Sequence, residues 1–374
     1  MIIIFSSGVT AGGPEVAQVL ERATRYPGIS TAVYEMQGQS RGLVEVHLIG
    51  PTAAVPTEAF TECLGVERVF RVSQKYRLLG RHEGRSEPMG FTYNGVRFDQ
   101  ESCHVFAGLC AVDTREHVEL MMAACQRAGL QTTRMGAYKP RTSPYDFQGH
   151  GRSCLPYVFE LAGKYGIRVM AMEVLREAHI DDIRRALDEA GRPTGVMLQI
   201  GTRNAQNFEL LKQVGQQREF PVLFKRGMGI TLEESLNACE YVASEGNPNV
   251  VFCLRGVKSH LGDPHRNLVD FAHVPAVKRL TRMPVAIDPS HSVGRIDRPH
   301  ASSKDGLIDI YHVTAQGLIA GANLVLVDFH PHPKVALCDG PQALLIEELG
   351  AFLDDVAIVR EAYERRLARA ARGS

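Results

Sequence analysis

The chain carries no net charge, because 42 Lys+Arg are matched by 42 Asp+Glu in 374 residues. That balance excludes the global basic field that draws nucleic acid or a membrane surface. None of the eight cysteines falls in a CxxC or any other paired spacing. Scattered thiols argue against a disulfide framework and for reduced cysteines in a cytoplasmic enzyme. No apolar run approaches the roughly 18 residues of a membrane span. The apolar Met1–Phe5 stretch has no basic residues before it and stops at Ser6. It reads as a strand rather than a signal peptide. What is present is ordinary for a globular protein: 44% apolar and 22% charged residues. The length suits one large domain with a small one, or two domains.

Residues 1–80 read as a first unit. Strands are expected at 2–5, 31–34, 43–48 and 66–72, with helices at 14–25 and 58–63. A βαββαβ order suggests a small α+β ferredoxin-like domain. Residues 81–103 read as a linker followed by a hairpin, with Asn94-Gly95 at the turn between alternating apolar residues. From residue 104 to 374 a different rhythm sets in. Eight short apolar runs, beginning near 105, 132, 168, 196, 222, 250, 285 and 324, alternate with helical patterns. Eight βα units over about 260 residues is the size of a (β/α)8 TIM barrel. Their regularity favours a closed barrel over an open doubly wound sheet.

In such a barrel the chemistry sits at the C-terminal ends of the strands. Cations dominate those positions: Arg134, Lys139, Arg141, Arg203, Lys225, Arg226 and Arg255. So many like charges in one mouth repel one another unless anions offset them, and arginine forks match phosphate and carboxylate. One or two phosphorylated or carboxylated small substrates are implied. The stretch Gly136-Ala-Tyr-Lys-Pro-Arg-Thr-Ser-Pro-Tyr145 concentrates this chemistry on a loop stiffened by two prolines. A second set, Cys110, His291, Asp328 and Asp339, offers sulfur, nitrogen and oxygen donors suited to a divalent first-row metal. Each residue also has a plain reading. A lone cysteine after an apolar strand is usually a small buried hydrophobe, and a lone aspartate usually caps a helix. His330 and His332 flank Pro331 like a His-x-His pair. His265, His300 and His312 suggest no role.

The Gly136–Tyr145 loop, with Gln148 and Gly149 after it, resembles the signature loop of 3-deoxy-D-arabino-heptulosonate 7-phosphate (DAHP) synthases of the short, single-chain type. Leu198-Gln-Ile-Gly-Thr-Arg-Asn-Ala-Gln-Asn-Phe208, Pro221-Val-Leu-Phe-Lys-Arg-Gly-Met228 and Glu245-Gly-Asn-Pro-Asn249 match that family in order. So do Asp288-Pro-Ser-His-Ser292 and Asp339-Gly-Pro-Gln342. The resemblance implies a transferase that condenses phosphoenolpyruvate with erythrose 4-phosphate at the entry to the shikimate pathway. It implies that Arg134, Lys139, Arg203, Lys225 and Arg255 hold phosphoenolpyruvate, and that Arg141 and Thr142 take the aldose phosphate. By the same resemblance, Lys139 would lie between the two substrates. Cys110, His291, Asp328 and Asp339 would hold the metal, Mn²⁺ by preference, with Co²⁺, Fe²⁺ or Zn²⁺ as alternatives. An aromatic amino acid effector on the first domain and a homo-oligomer, tetramer or dimer, are implied in the same way.

The sequence departs from the family pattern at Gly108-Leu-Cys-Ala-Val-Asp113 and at Leu254-Arg-Gly256 with the loop that follows. At Val327-Asp-Phe-His-Pro331, Asp328 stands where the family has a glutamate, about one methylene longer. These departures cluster at the metal and acceptor ends. They keep open a different phosphorylated aldose, or a catalytically weak regulatory homologue.

Overall fold

The computed structural model describes residues 1–37, 42–72, 75–82, 85–296 and 307–372; His300 lies outside them. Its contacts divide the chain into two units, Met1–Glu87 and Pro88–Ser374.

The first unit runs β1 (Ile2–Phe5), α1 (Pro14–Ala23), β2 (Ser30–Gln37), β3 (Gly42–Ile49), α2 (Glu58–Thr61) and β4 (Val66–Phe70). The sheet order is β2-β3-β1-β4, antiparallel throughout, which is the ferredoxin-like arrangement. Alternation explains its core. Val44, Val46 and Leu48 of β3 pack with Ile3, Phe5, Val16, Val19 and Phe60, because every second strand residue faces the helices. The intervening Glu45 and His47 are buried as well. Arg85 grips Glu45 with both terminal nitrogens, at 2.7 and 2.9 Å, and His47 adds a 3.0 Å contact. Charges this deeply buried need such partners. The stretch read from sequence as a linker thus packs into the first unit through Arg85.

The second unit opens with the hairpin β5 (Phe91–Tyr93) and β6 (Val96–Phe98). Asn94 and Gly95 both have positive φ, 45° and 81°, as a two-residue I′ turn requires. Phe98 and Val96 pack into one cluster with Phe106, Val169, Met197 and Leu223, and Tyr93 Oη accepts from the Val196 N–H at 3.1 Å. The hairpin therefore covers the strand starts, opposite the end where the cations gather.

Eight parallel strands follow: β7 (His104–Leu109), β8 (Thr132–Met135), β9 (Val169–Val174), β10 (Gly195–Ile200), β11 (Val222–Lys225), β12 (Val250–Leu254), β13 (Val285–Ile287) and β14 (Leu324–His330). Neighbours pair in sequence order, and β14 pairs with both β13 and β7. The sheet is closed. The strands are almost wholly buried, as continuous apolar runs should be when both faces are covered. The helices between strands include α3 (Arg115–Arg127), α4 (Leu155–Lys164), α5 (Glu177–Glu189), α6 (Phe208–Gln216) and α7 (Leu232–Ser244). Thr114 Oγ1 caps α3, and Thr231 with Glu234 forms a capping box on α7. A five-residue helix, α8 (Pro289–Val293), was not anticipated. The last helix, α9 (Leu349–Arg372), follows a short strand and a 3₁₀ turn formed by residues 344–348. Among the described residues no helix is long and apolar enough to cross a membrane.

Candidate active site

One cavity lies where the strand-end cations meet. Six cations line it: Lys139, Arg141, Arg203, Lys225, Arg255 and Arg266. Thr142, Glu173, His291, Cys338 and Asp339 complete most of the polar wall. Close backbone approach builds one side of it. A Cβ on Gly136 would sit 2.1 Å from the Cys110 carbonyl oxygen, so only glycine lets the signature loop leave β8 beside Cys110.

The cations are held in distinct ways. Arg255 is 1% exposed, and its Nε and Nη1 have no hydrogen-bond partner. Its Nη2 reaches only the His291 carbonyl at 3.5 Å. Burial lowers its pKa, the cost of a guanidinium without a counter-ion. Lys225 sits 2.5 Å from Asp288. Lys139 Nζ lies 3.3 Å from both Glu173 Oε2 and Cys110 Sγ. Burial works against its charge, but the neighbouring Cys110 and Glu173 outweigh it and raise its pKa. Arg203 Nη2 donates to Thr142 Oγ1 at 3.3 Å. Arg141 donates from Nη1 to Cys338 Sγ at 2.7 Å and from Nη2 to Asp146 at 3.3 Å.

Two expected members of the ring stand elsewhere. Arg134 is 2% exposed and lies behind the wall, donating from Nη1 to Asp328 Oδ1 and from Nη2 to Cys110 Sγ at 3.6 Å. Burial alone would lower its pKa; Asp328 reverses the direction. Arg226 turns away and pairs with Asp270 at 2.8 Å and His273 at 3.1 Å. It follows Lys225 directly, and consecutive residues of an extended strand point to opposite sides.

Cys110, His291 and Asp339 converge, each offering one donor atom within 4.8 Å of the others. His291 Nε2 is 3.9 Å from Cys110 Sγ and 3.8 Å from Asp339 Oδ2; Cys110 Sγ and Asp339 Oδ2 are 3.2 Å apart. Asp288 caps α8 by accepting from the His291 N–H, and the same carboxylate takes the imidazole Nδ1 at 3.0 Å. Burial lowers the His291 pKa. The neutral ring with Nδ1–H on Asp288 therefore presents the Nε2 lone pair to Cys110 and Asp339, the orientation of a metal-bound histidine. The hydrogen bond with Cys338, then burial, pushes the Cys110 thiol well above its usual pKa. A cation would have to displace that proton. Burial opposes ionisation of Asp339, but His291 and Lys139 prevail and hold its carboxyl low. Its backbone is left-handed, φ 53°, a conformation Asp tolerates better than most residues. A buried S/N/O set of this kind suits a divalent first-row metal. Asp328 is not in the cluster; Arg134 and Gln342 hold its carboxylate.

A second group, Asp113, His117 and His330, is equally compact. Asp113 Oδ2 accepts from His117 Nδ1 at 3.0 Å and His330 Nε2 at 2.7 Å. The backbone N–H of His332 donates to His330 Nδ1 at 2.9 Å. Both His330 nitrogens are thus engaged, and Nε2 must carry the proton. The group is a carboxylate bridging two imidazoles, not a vacant His-x-His pair. Burial would raise the Asp113 pKa, but the two histidines bring it to about 2.

Sequence reasoning missed Arg266, Cys338 and Gln342. Arg266 Nη1 donates to Gln342 Oε1 at 3.1 Å and lies 3.8 Å from Asp339 Oδ1. The signals were faint: Cys338 precedes Asp339, and Arg266 directly follows the loop that departs from the family pattern after Gly256.

Residues 92–364 match the model of the DAHP synthetase I family. The chain is 33% identical over 365 residues to a phospho-2-dehydro-3-deoxyheptonate aldolase of Thermotoga maritima, covering 96% of this chain and 99% of that one. A 2-dehydro-3-deoxyphosphooctonate aldolase of Aliivibrio fischeri is 24% identical over 261 residues, covering 67% of this chain and 86% of the other. Among solved structures, the Thermotoga maritima DAHP synthase superposes with a TM-score of 0.69 at 32% identity, over 96% of this chain and 97% of that one. Its truncated form gives 0.65 at 30% identity, over 77% and 97%. The closed barrel, the cation-lined cavity and these matches over nearly the whole length agree: the chain belongs to the DAHP synthetase I family.

Proposed function

We propose that the chain condenses phosphoenolpyruvate with erythrose 4-phosphate to DAHP and phosphate, the first step of the shikimate pathway. The observation that carries this reading is Arg255, a buried guanidinium with two unpartnered nitrogens in a six-cation cavity. Such a group is costly unless an anion completes it. Arg203, Lys225 and Arg255 take the phosphoenolpyruvate phosphate, and Arg134 orients the same substrate from behind the wall. Arg141 and Thr142 take the aldose phosphate.

Cys110, His291 and Asp339 fit a divalent cation by donor type and spacing, and Mn²⁺ is the ion proposed. Bound there, it would polarise the aldehyde oxygen as a Lewis acid. The chain's own groups carry the remaining chemistry. The cation wall places C3 of phosphoenolpyruvate against the aldehyde carbon, where the new C–C bond forms. Lys139, kept protonated beside Glu173, gives its proton to the resulting alkoxide. Water then adds at C2, and the C2–O bond to phosphate breaks from the hemiketal. Arg203, Lys225 and Arg255 stabilise the departing charge.

The test is phosphate release from phosphoenolpyruvate with Mn²⁺, assayed with erythrose 4-phosphate and with arabinose 5-phosphate. Turnover with erythrose 4-phosphate is expected, and its loss on chelation should be reversed by Mn²⁺. Arg266 at the mouth favours weighing a second reading, a different phosphorylated aldose. Faster turnover of arabinose 5-phosphate would select it. No turnover with either sugar, despite bound metal, would leave the catalytically weak regulatory reading. The small domain at 1–80, ahead of a barrel from 104, is proposed as the seat of feedback control by an aromatic amino acid. Inhibition assays with each of the three would identify the effector. A cytoplasmic homo-oligomer completes the proposal, and sedimentation would give its size.

A further inference from the structure

We infer that Asp328 stands outside the metal centre of this chain and is the buried counter-ion that positions Arg134, leaving Cys110, His291 and Asp339 as a three-donor site. The inference deepens the reading above and rests on it only for the role of the metal.

Four observations carry it. Each oxygen of Asp328 already holds a hydrogen-bond partner. Oδ1 accepts from Arg134 Nη1, and Oδ2 accepts from Gln342 Nε2 at 2.6 Å. The Gln342 amide is itself fixed, because its Oε1 accepts from Arg266 Nη1 at 3.1 Å. Flipping it would turn a carbonyl oxygen onto the Asp328 carboxylate. Next, Asp328 lies on the wrong side of the imidazole. Its contact with His291 is to Nδ1, at 3.8 Å, whereas Cys110 and Asp339 contact Nε2. A cation on the Nε2 lone pair lies away from the Nδ1 edge. The backbone is also anchored, since the Asp328 N–H donates to Ser290 Oγ at 2.9 Å. Finally, Arg134 is 2% exposed and Asp328 is its ion-pair partner. Moving Asp328 to a metal would leave a buried guanidinium without that carboxylate, a strongly unfavourable change.

The consequence is functional. Three protein donors leave a divalent ion with open positions, the pattern of catalytic rather than structural sites. The open positions are then available to water or to a substrate oxygen.

The test uses the full-length protein and does not depend on turnover. Co²⁺ is titrated into wild type, Asp328→Asn, Gln342→Leu, Asp339→Asn and His291→Ala, following the d–d and thiolate charge-transfer bands. Asp339→Asn and His291→Ala should shift the bands and weaken Co²⁺ binding by more than about 100-fold, beyond the usual loss from an outer partner. Asp328→Asn and Gln342→Leu should keep the band positions. A spectrum of Asp328→Asn that changes as Asp339→Asn does overturns the inference. So does a changed Gln342→Leu spectrum, which decides the matter if Asp328→Asn does not fold.

The counter-ion role is tested by thermal melts of Asp328→Leu, Arg134→Met and the double variant. Each single change leaves one buried charge and should lower Tm by about 5 °C or more, and the double variant should recover at least half of the loss. Additive losses in the double variant would refute the pairing. Should the protein bind Co²⁺ as described yet turn over neither sugar, the activity proposal fails and this one stands.

Discussion

His291 donates from Nδ1 to Asp288, 3.0 Å away, and that bond is what turns Nε2 toward Cys110 and Asp339. Asp288 also caps the helix that carries His291 and pairs with Lys225 at 2.5 Å. One carboxylate therefore fixes both the imidazole that faces Cys110 and Asp339 and the Lys225 ammonium in the cavity wall. Burial opposes its ionisation, but His291 and Lys225 hold its carboxyl well below the usual range.

Replacing Asp288 by Asn keeps the cap acceptor but removes the charge. Metal affinity should fall about 10–100-fold, the usual effect of losing the partner of a ligating histidine. Competition with a chromophoric chelator measures it. Unchanged affinity would mean that Asp288 does not orient the imidazole.

Arg255→Met separates function from stability. The KM for phosphoenolpyruvate should rise by about 30-fold or more, since a charge-assisted contact contributes roughly 2 kcal/mol. The Tm should hold or rise, because a buried guanidinium with unpartnered nitrogens is replaced by an apolar chain of similar volume. A large fall in Tm with an unchanged KM would assign Arg255 a purely structural role.

Asp113 predicts a pH signature. Its carboxyl is lowered from 3.8 to about 2, and its side chain is 3% exposed. A depressed acid contributes stability above its unfolded pKa and loses it as pH falls toward the folded value. The shift corresponds to roughly 2 kcal/mol, present at pH 7 and lost between about pH 4 and 2. Urea titrations of wild type and Asp113→Asn should differ by roughly that amount at pH 7 and converge in acid. A gap independent of pH would trace the loss to packing.

Gly201→Ala should disturb the acid beside Lys139. The new Cβ would lie 1.8 Å from Glu173 Oε1, so the carboxylate whose other oxygen contacts Lys139 at 3.3 Å must shift. Overpacking of this kind costs about 1–3 kcal/mol. Steady-state kinetics should show kcat reduced more than the KM for phosphoenolpyruvate, with the metal affinity unchanged.

Much of the barrel was legible because its strands are buried on both faces and so read as unbroken apolar runs. Val222–Lys225 and Val250–Leu254 stand where the runs were found. The helix Pro289–Val293 was not legible. Five residues are too few for a 3.6-residue period to show, and Asp288 at its cap stands out in the sequence only within Asp288-Pro-Ser-His-Ser292. Arg226 could have been set aside from sequence, because the alternation that places Lys225 in the mouth turns its neighbour outward. Arg266 and Cys338 enter from loops, where no period fixes direction.

The sequence by itself determined the layers, the order of the strands and the kinds of atoms gathered at their ends, since periodicity and residue chemistry are local properties. Only the tertiary structure decided which donors meet. Cys110, His291 and Asp339 come from three separate strand ends, and the chain's closure into a barrel brings them within reach of one another. Asp328 has the chemistry of a ligand, and it is the fold that sets Arg134 and Gln342 against its carboxylate, contacts between residues far apart in the chain that no local pattern announces.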